Sequence, residues 1–497
     1  MISRFIPALL MLLFAGAGYS QEAQWINYTD LKSVTSIAYD SAGNQTYCAS
    51  KGGLFAVDNQ SGAVVKKYSN LDGLININLT SLAIDRNRRL WIGASDGSIS
   101  ILDLGSSSWK YIFDIKNSTE SNKIINFLYP VGNFMFVATG YGIHKVSVSN
   151  LTFIDAPYYK LGGFPVNTTV YALASSGNLL YAATKSGVAW GNYVNSNLNN
   201  PASWSNYNVA PLNAEVRTVE TSGQLVFAGS DGGFSYFNGT SWAPYPNGNV
   251  SSRATKDIQL MNDWIFFIGG SNLLVAPLSD LPNVSEYLDP ASYSVLARDS
   301  RNDWIVSGYT DNGIRINGNF DYIFPNSPYT NIFSQVTLDD DGSIWAAGGL
   351  PTNGFYRFDG NKWENYNLST HPEIGNSNWF QKIVYGNGTV WALGFGGGPT
   401  MIRGSEIMNF NPSNSILPGI SNDPNFCASY GGAYDLNGAF WVTFFGTNSG
   451  SSMYAYYGDQ WLRFLNPSSI AASILSQIAV DSYNTKWVVT AGSRSGV

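Results

Sequence analysis

Histidine and cysteine are nearly missing from this 497-residue sequence, with two of each. His144 and His371 stand far apart, and neither has a partner at metal-ligand spacing. So few such residues leave little from which to assemble a zinc site or a Ser/His/Asp triad. Cys48 and Cys427 occupy different positions in different repeats, so they read as two separate buried thiols rather than a disulfide. Charge is also sparse: Asp, Glu, Lys and Arg make up 12% of the chain, about half the usual share. The net charge of −7 argues against a nucleic acid, which needs a basic face. It leaves lipopolysaccharide open as a partner, through local basic patches or sugar contacts. No run of like charge forms a tail. Beyond the N-terminus, no segment is apolar over the ~18 residues that suggest a membrane helix.

Aromatic residues and glycine are what the chain has in excess. Phe, Trp and Tyr reach 14%, and there are 51 Gly. This composition suits short strands between tight turns, not long helices. Residues 1–20 read as a secretory signal peptide. Arg4 supplies the positive start, Phe5 to Ala15 the apolar run, and Gly18 to Ser20 a small-residue exit. No Cys follows the cleavage point, which disfavours a lipid anchor.

One unit recurs. In LTSLAIDRNRRLWIGASDGSISILDL, from Leu79 to Leu104, an apolar strand ends at Asp85 and a polar turn follows. Leu90, Trp91 and Ile92 then open a second strand, and Ser95, Asp96 and Gly97 turn into a third. The order repeats from Val34, Ile125, Val170, Val216, Asp257, Ser294, Ser334, Lys382, Gly432 and Ser476. The spacing of about 40–50 residues, with two further strand-like runs per period, is that of a four-stranded propeller blade. A sandwich does not repeat its own sequence, a β-helix has shorter periods, and a leucine-rich array shows its own ladder. The expected fold is all-β, with tandem β-propellers. Seven periods in residues 21–328 form the first. Residues 329–497, after the stretch FPNSPYTN, form the first part of a second that stops mid-blade.

The turns of DDDGSIWAAGG and DRNRRLWIGASDG resemble the propeller repeats in sensor regions of Bacteroidetes hybrid two-component regulators. The opening segment, QWINYTDLKSVTSIAYDSAGNQTYCASKGGLFAVDNQSG (Gln24 to Gly62) followed by NLDGLININLTSLAID, resembles the PorZ family of the type IX secretion system. That resemblance implies two seven-bladed propellers followed by a sorting domain, which this sequence does not reach. It also implies a place at the cell surface beside the sortase PorU and other attachment-complex proteins, and a role in presenting anionic lipopolysaccharide for attachment to cargo. It carries over no binding residue, because no short functional motif defines the family.

Few residues stand apart from the repeat. GFGGG (Gly394 to Gly398) lacks the following helix of a phosphate loop and reads as a wide turn. GSRSG near the C-terminus lacks the strand-to-helix setting of a nucleophile elbow. DDDG (Asp339 to Gly342) has a calcium-like composition. Its sister turns DSAGN, DRNRR and DLNGA assign the same residues to turn geometry. No metal or cofactor is implied. In a propeller, the loops that enter the first strand share a face with the turns between second and third strands. Those turns carry Lys51, Asp96, Tyr141, Lys185, Asp231, Tyr309 and Asp311, a candidate ring for a glycan at the mouth of the first propeller. A non-catalytic surface scaffold is the expectation. The alternatives are the sensor region of a hybrid regulator, and a propeller lyase or glycosidase, whose carboxylate cluster no blade displays.

Overall fold

The computed structural model describes residues 25–289, 291–301, 304–316, 321–447, 450–466 and 475–490. The signal peptide and the GSRSG segment lie outside them. Seven antiparallel sheets follow one another in chain order, each built from consecutive strands. Their innermost strands are Val34–Asp40, Leu79–Ile84, Ile125–Val131, Val170–Ser176, Val216–Ser222, Thr255–Met261 and Tyr293–Asp299. Each packs on the next, and the seventh packs on the first, which closes a ring. Blades 3 and 7 have three full strands. Single bridges at Ile143–Tyr158, Val146–Phe153 and Ile314–Ile323 continue them outward.

Strand alternation explains why the blades need one another. In the second strand of blade 2, Arg89–Ala94, Leu90 and Ile92 enter a cluster shared with blade 1, and Trp91 enters one shared with blade 3. Cys48 faces blade 7 while its neighbours Tyr47 and Ala49 face blade 2. Both cysteines are buried and unbridged. Phe136 and Phe227, wholly buried between blades, each contribute about 1.5–3 kcal/mol of transfer free energy. All four strands of blade 1 come from the N-terminal part of the chain, so no sheet is shared between the two ends of the ring. Side chains and loops close it instead. Ser294 Oγ donates to the Val34 carbonyl (2.8 Å), Asn59 Nδ2 to Asp299 Oδ2 (2.7 Å) and the Gly313 N–H to the Lys32 carbonyl (2.8 Å).

The recurring Asp and Trp are one device. Asp85 accepts from the N–H groups of Asn87 and Arg89 and, at 2.8 Å, from the indole N–H of Trp91. Asp339 holds Asp341, Ser343 and Trp345 in the same way, Asp435 holds Asn437, Ala439 and Trp441, and Asp481 holds Tyr483, Thr485 and Trp487. One carboxylate thus shapes the turn with one oxygen and orients the Trp with the other. The DDDG segment is such a lock, its first carboxylate fully engaged by protein donors.

Three further sheets and a hairpin belong to the second propeller. Their innermost strands are Gln335–Leu338, Phe380–Gly386, Cys427–Tyr434 and Leu475–Val480. The GFGGG segment departs from the wide turn expected. Its first three residues extend the strand Thr389–Gly396, which pairs with Cys427 and Ala428 of the next blade, and Gly398 opens the following strand. Glycine is needed there: Gly398 has φ 79° and a Cβ would meet the Phe410 carbonyl at 2.1 Å. The two propellers meet at an aromatic joint. Tyr28 lies 4.8 Å from Phe358 and 5.5 Å from Trp363, ring centre to ring centre. Lys32 Nζ sits 3.9 Å from the Tyr329 ring centre, and burial pushes its pKa down to about 8.

Replacing Asp85 by Ala removes the turn lock and strands the buried Arg89, to which Asp85 is paired at 2.7 Å. Urea unfolding is expected to show a loss of about 3 kcal/mol for D85A. Replacement of the exposed Asp231 should change stability by about 0.5 kcal/mol or less.

Candidate functional site

Every innermost strand of the first propeller carries a β-bulge after its first residue. The residues left out of register are Thr35, Thr80, Asn126, Tyr171, Arg217, Lys256 and Ser294, one from each blade. A bulge re-aims its side chain, and all seven line a single axial cavity of about 420 Å³. In blades 1, 2, 3 and 7 the residue is short and bonds to the neighbouring blade. Thr35, Thr80, Asn126 and Ser294 donate to the carbonyls of Leu79 (2.9 Å), Ile125 (2.5 Å), Val170 (2.8 Å) and Val34 (2.8 Å).

Blades 4 to 6 depart from that pattern with three long side chains in succession. Tyr171 donates its hydroxyl to Glu215 (2.7 Å), and the Arg217 guanidinium lies 4.6 Å from the Tyr171 ring centre. Arg217 bridges Glu215 (2.7 Å) and Asp231 (2.6 Å), and Lys185 Nζ approaches Glu215 at 3.8 Å. Lys256 is exposed, with no ion pair or hydrogen bond among the described residues. Two carboxyl groups also line the cavity. Burial raises the Asp257 pKa to about 7, against the pull of hydrogen bonds from the Leu296 and Ile258 N–H groups. Burial likewise raises Glu220 to about 7, and the nearby Asp257 charge adds to the rise. One wall therefore offers cations and an aromatic ring, and the rest of the ring offers small hydroxyls and an amide.

The seven residues singled out from the sequence lie elsewhere. Their turns bond to the residue that precedes each innermost strand: Ser95 N–H to Asn78 O, Gly140 to Ile124, Lys185 to Thr169, Asp231 to Glu215 and Thr310 to Ser292. They share one face of the ring, but none of the seven lines the axial cavity, because the turns stand outside the innermost strand. Lys185 and Asp231 come together through Glu215 and Arg217. Asp96 pairs with Lys116 (2.9 Å). Lys51 is exposed, and its carbonyl accepts from Asn331 in the connector. Asp311 is exposed near Tyr329 at the joint. Tyr141 and Tyr309 must be withdrawn as stacking platforms. Tyr141 is 3% exposed, wedged between His144 and Tyr159, and Tyr309 is 1% exposed, with its hydroxyl on Asp289. His144 is buried beside Tyr141 with Nε2 unbonded among the described residues, and burial lowers its pKa to about 4.

Residues 46–205 match the family model of the PorZ N-terminal β-propeller domain of the type IX secretion system. That stretch of the first propeller is similar to the PorZ N-terminal domain. The fold of the chain superposes with a TM-score of 0.78, at 17% identity, on PorZ, an essential bacterial surface component of the type-IX secretion system of Porphyromonas gingivalis. That superposition covers 95% of this chain and 65% of PorZ, so the chain spans just under two thirds of the solved protein's length. The extracellular domain of a hybrid two-component system of B. thetaiotaomicron aligns at 18% identity and a TM-score of 0.49, over 93% of this chain and 70% of that one. No curated protein matches by sequence.

The cavity of the first propeller carries no local sequence signature, because its residues differ in type from blade to blade. What they share is position: the second residue of each innermost strand, in VTS, LTS, INF, VYA, VRT, TKD and YSV. The raised carboxyls give the channel a pH signature. Glu220 and Asp257 hold protons in the folded chain that the unfolded chain has released, so their contribution to stability falls as pH climbs from about 4 to 7. The double variant E220Q/D257N should therefore gain in Tm relative to the parent across that window, with the gap constant above about pH 8. Thermal melts across the range check this, and a gap that does not grow would refute it.

Proposed function

We propose that this PorZ-like chain is an exported, non-catalytic scaffold of the type IX secretion system. In this reading it docks a PorU-type sortase with other attachment-complex proteins and presents anionic lipopolysaccharide to it. The observation that carries the reading is the family match over residues 46–205, in the propeller whose channel has the cationic wall. The superposition on PorZ, itself a surface component, supports the same assignment. The chemistry of the channel suits the role. Lys256 stands exposed with no ion pair among the described residues, and with Lys185 and Arg217 it makes three cations against the two carboxylates of Glu215 and Asp231, a surplus on which an anionic sugar or phosphate group gains charge-assisted hydrogen bonds. Such exposed charges contribute modestly one by one, so capture would depend on several acting together and would weaken with salt.

Affinity isolation of the tagged full chain from its native cell is the test. A sortase and lipopolysaccharide should co-elute. The charge-reversed variant K185E/K256E should recover at least fivefold less lipopolysaccharide while keeping the parent's Tm, because both lysines are exposed. An eluate without either partner would overturn the scaffold reading. Undiminished lipopolysaccharide on the variant would remove the channel from it.

A further inference from the structure

Blade 9 of the chain, the second of the second propeller, breaks the Asp–Trp rule. Its Trp391 occupies the place of Trp345, Trp441 and Trp487, but the position six residues earlier holds Tyr385 instead of Asp. The turn is also shorter. Strand Phe380–Gly386 passes to strand Thr389–Gly396 through Asn387 and Gly388 alone, both with positive φ (51° and 69°). The sister turn in blade 10 spans residues 435–439. With no carboxylate to hold it, the Trp391 indole donates to the Tyr434 hydroxyl of blade 10 (3.0 Å). A cleft of about 310 Å³ remains between blades 9 and 10, within the size range of small-ligand sites.

The cleft has a mixed lining. Tyr434 and Tyr456 contribute aromatic wall, and Tyr457, 55% exposed, stands at its edge. Asn387 supplies an amide. Arg403 supplies a guanidinium held at 3.0 Å by Asp459 and at 3.1 Å by Glu406. Asp459 is presented by another two-residue turn, Gly458–Asp459, with both φ values at 58°. One cation faces two carboxylates, so an anion would meet net repulsion here. Hydroxyl groups would not: they donate to Asp459 and accept from Arg403 and Asn387, while a ring face rests on Tyr457.

We infer that the cleft between blades 9 and 10 is a binding site for a neutral saccharide. The site differs from the lipopolysaccharide channel in propeller and in charge preference, so either can fail without the other. The test applies the full chain to an array of neutral and acidic oligosaccharides, followed by a tryptophan-fluorescence titration with the strongest neutral binder. Binding to neutral hexose or N-acetylhexosamine chains is expected. Y457A and D459A should each weaken it at least tenfold with unchanged near-UV circular dichroism, and K185E/K256E should leave it intact. No signal on neutral glycans, a preference for acidic ones, or binding that survives both Y457A and D459A would overturn the inference.

Discussion

A four-stranded sheet with apolar residues on both faces cannot remain alone in water, and that constraint organises this chain. Trp91 and Leu90 are adjacent in sequence, yet they are buried in opposite seams because successive residues in a strand point to opposite faces. Each blade must therefore find two neighbours, and only a ring satisfies all of them. Here the ring closes without sharing a sheet between its ends. Ser294, Asn59 and the Gly313 N–H do the fastening, supported by the apolar contact of Leu31, Val34 and Phe55 with Val306 and Ile314.

The same demand produces the channel. The innermost strand must serve its own sheet and the next blade at once. A bulge after its first residue frees one side chain per blade for that second task. Where the freed residue is Thr, Ser or Asn it bonds to the neighbouring blade. Where it is Tyr171, Arg217 or Lys256 the side chain is long: Tyr171 reaches Glu215, Arg217 reaches Glu215 and Asp231, and all three line the axial space. The cationic wall is thus a local substitution in a structural position. The cleft beside blade 9 lies where one Asp of the Trp blades is replaced by Tyr385 and the following turn is shortened to Asn387 and Gly388.

Much of the architecture could be read from the chain. The period and the strand–turn–strand pattern placed all eleven repeats, with Asp–Trp turns marking four of them, because turn chemistry and strand alternation are local properties. The resemblance of the first two blades to the PorZ family rested on local segments as well, and the family match covers much of the same stretch. The site was far less legible. Lys185 and Asp231 sit beside the cationic wall, but Arg217, Lys256 and Glu215, which organise it, do not stand out in their strands. Tyr141 and Tyr309 sit in the expected turns, yet their side chains fold inward.

What the sequence determined by itself is the blade: its length, its strands, its turn locks and the seam residues on each face, all set by contacts within some fifty residues. What only the tertiary structure decided is which side chains converge. Seven residues from Thr35 to Ser294 share one cavity because ring closure brings together strands up to about 260 residues apart. No local pattern encodes that meeting. The same closure decides that Tyr28 and Trp363 touch across the two propellers, and that blades 9 and 10 leave a cleft.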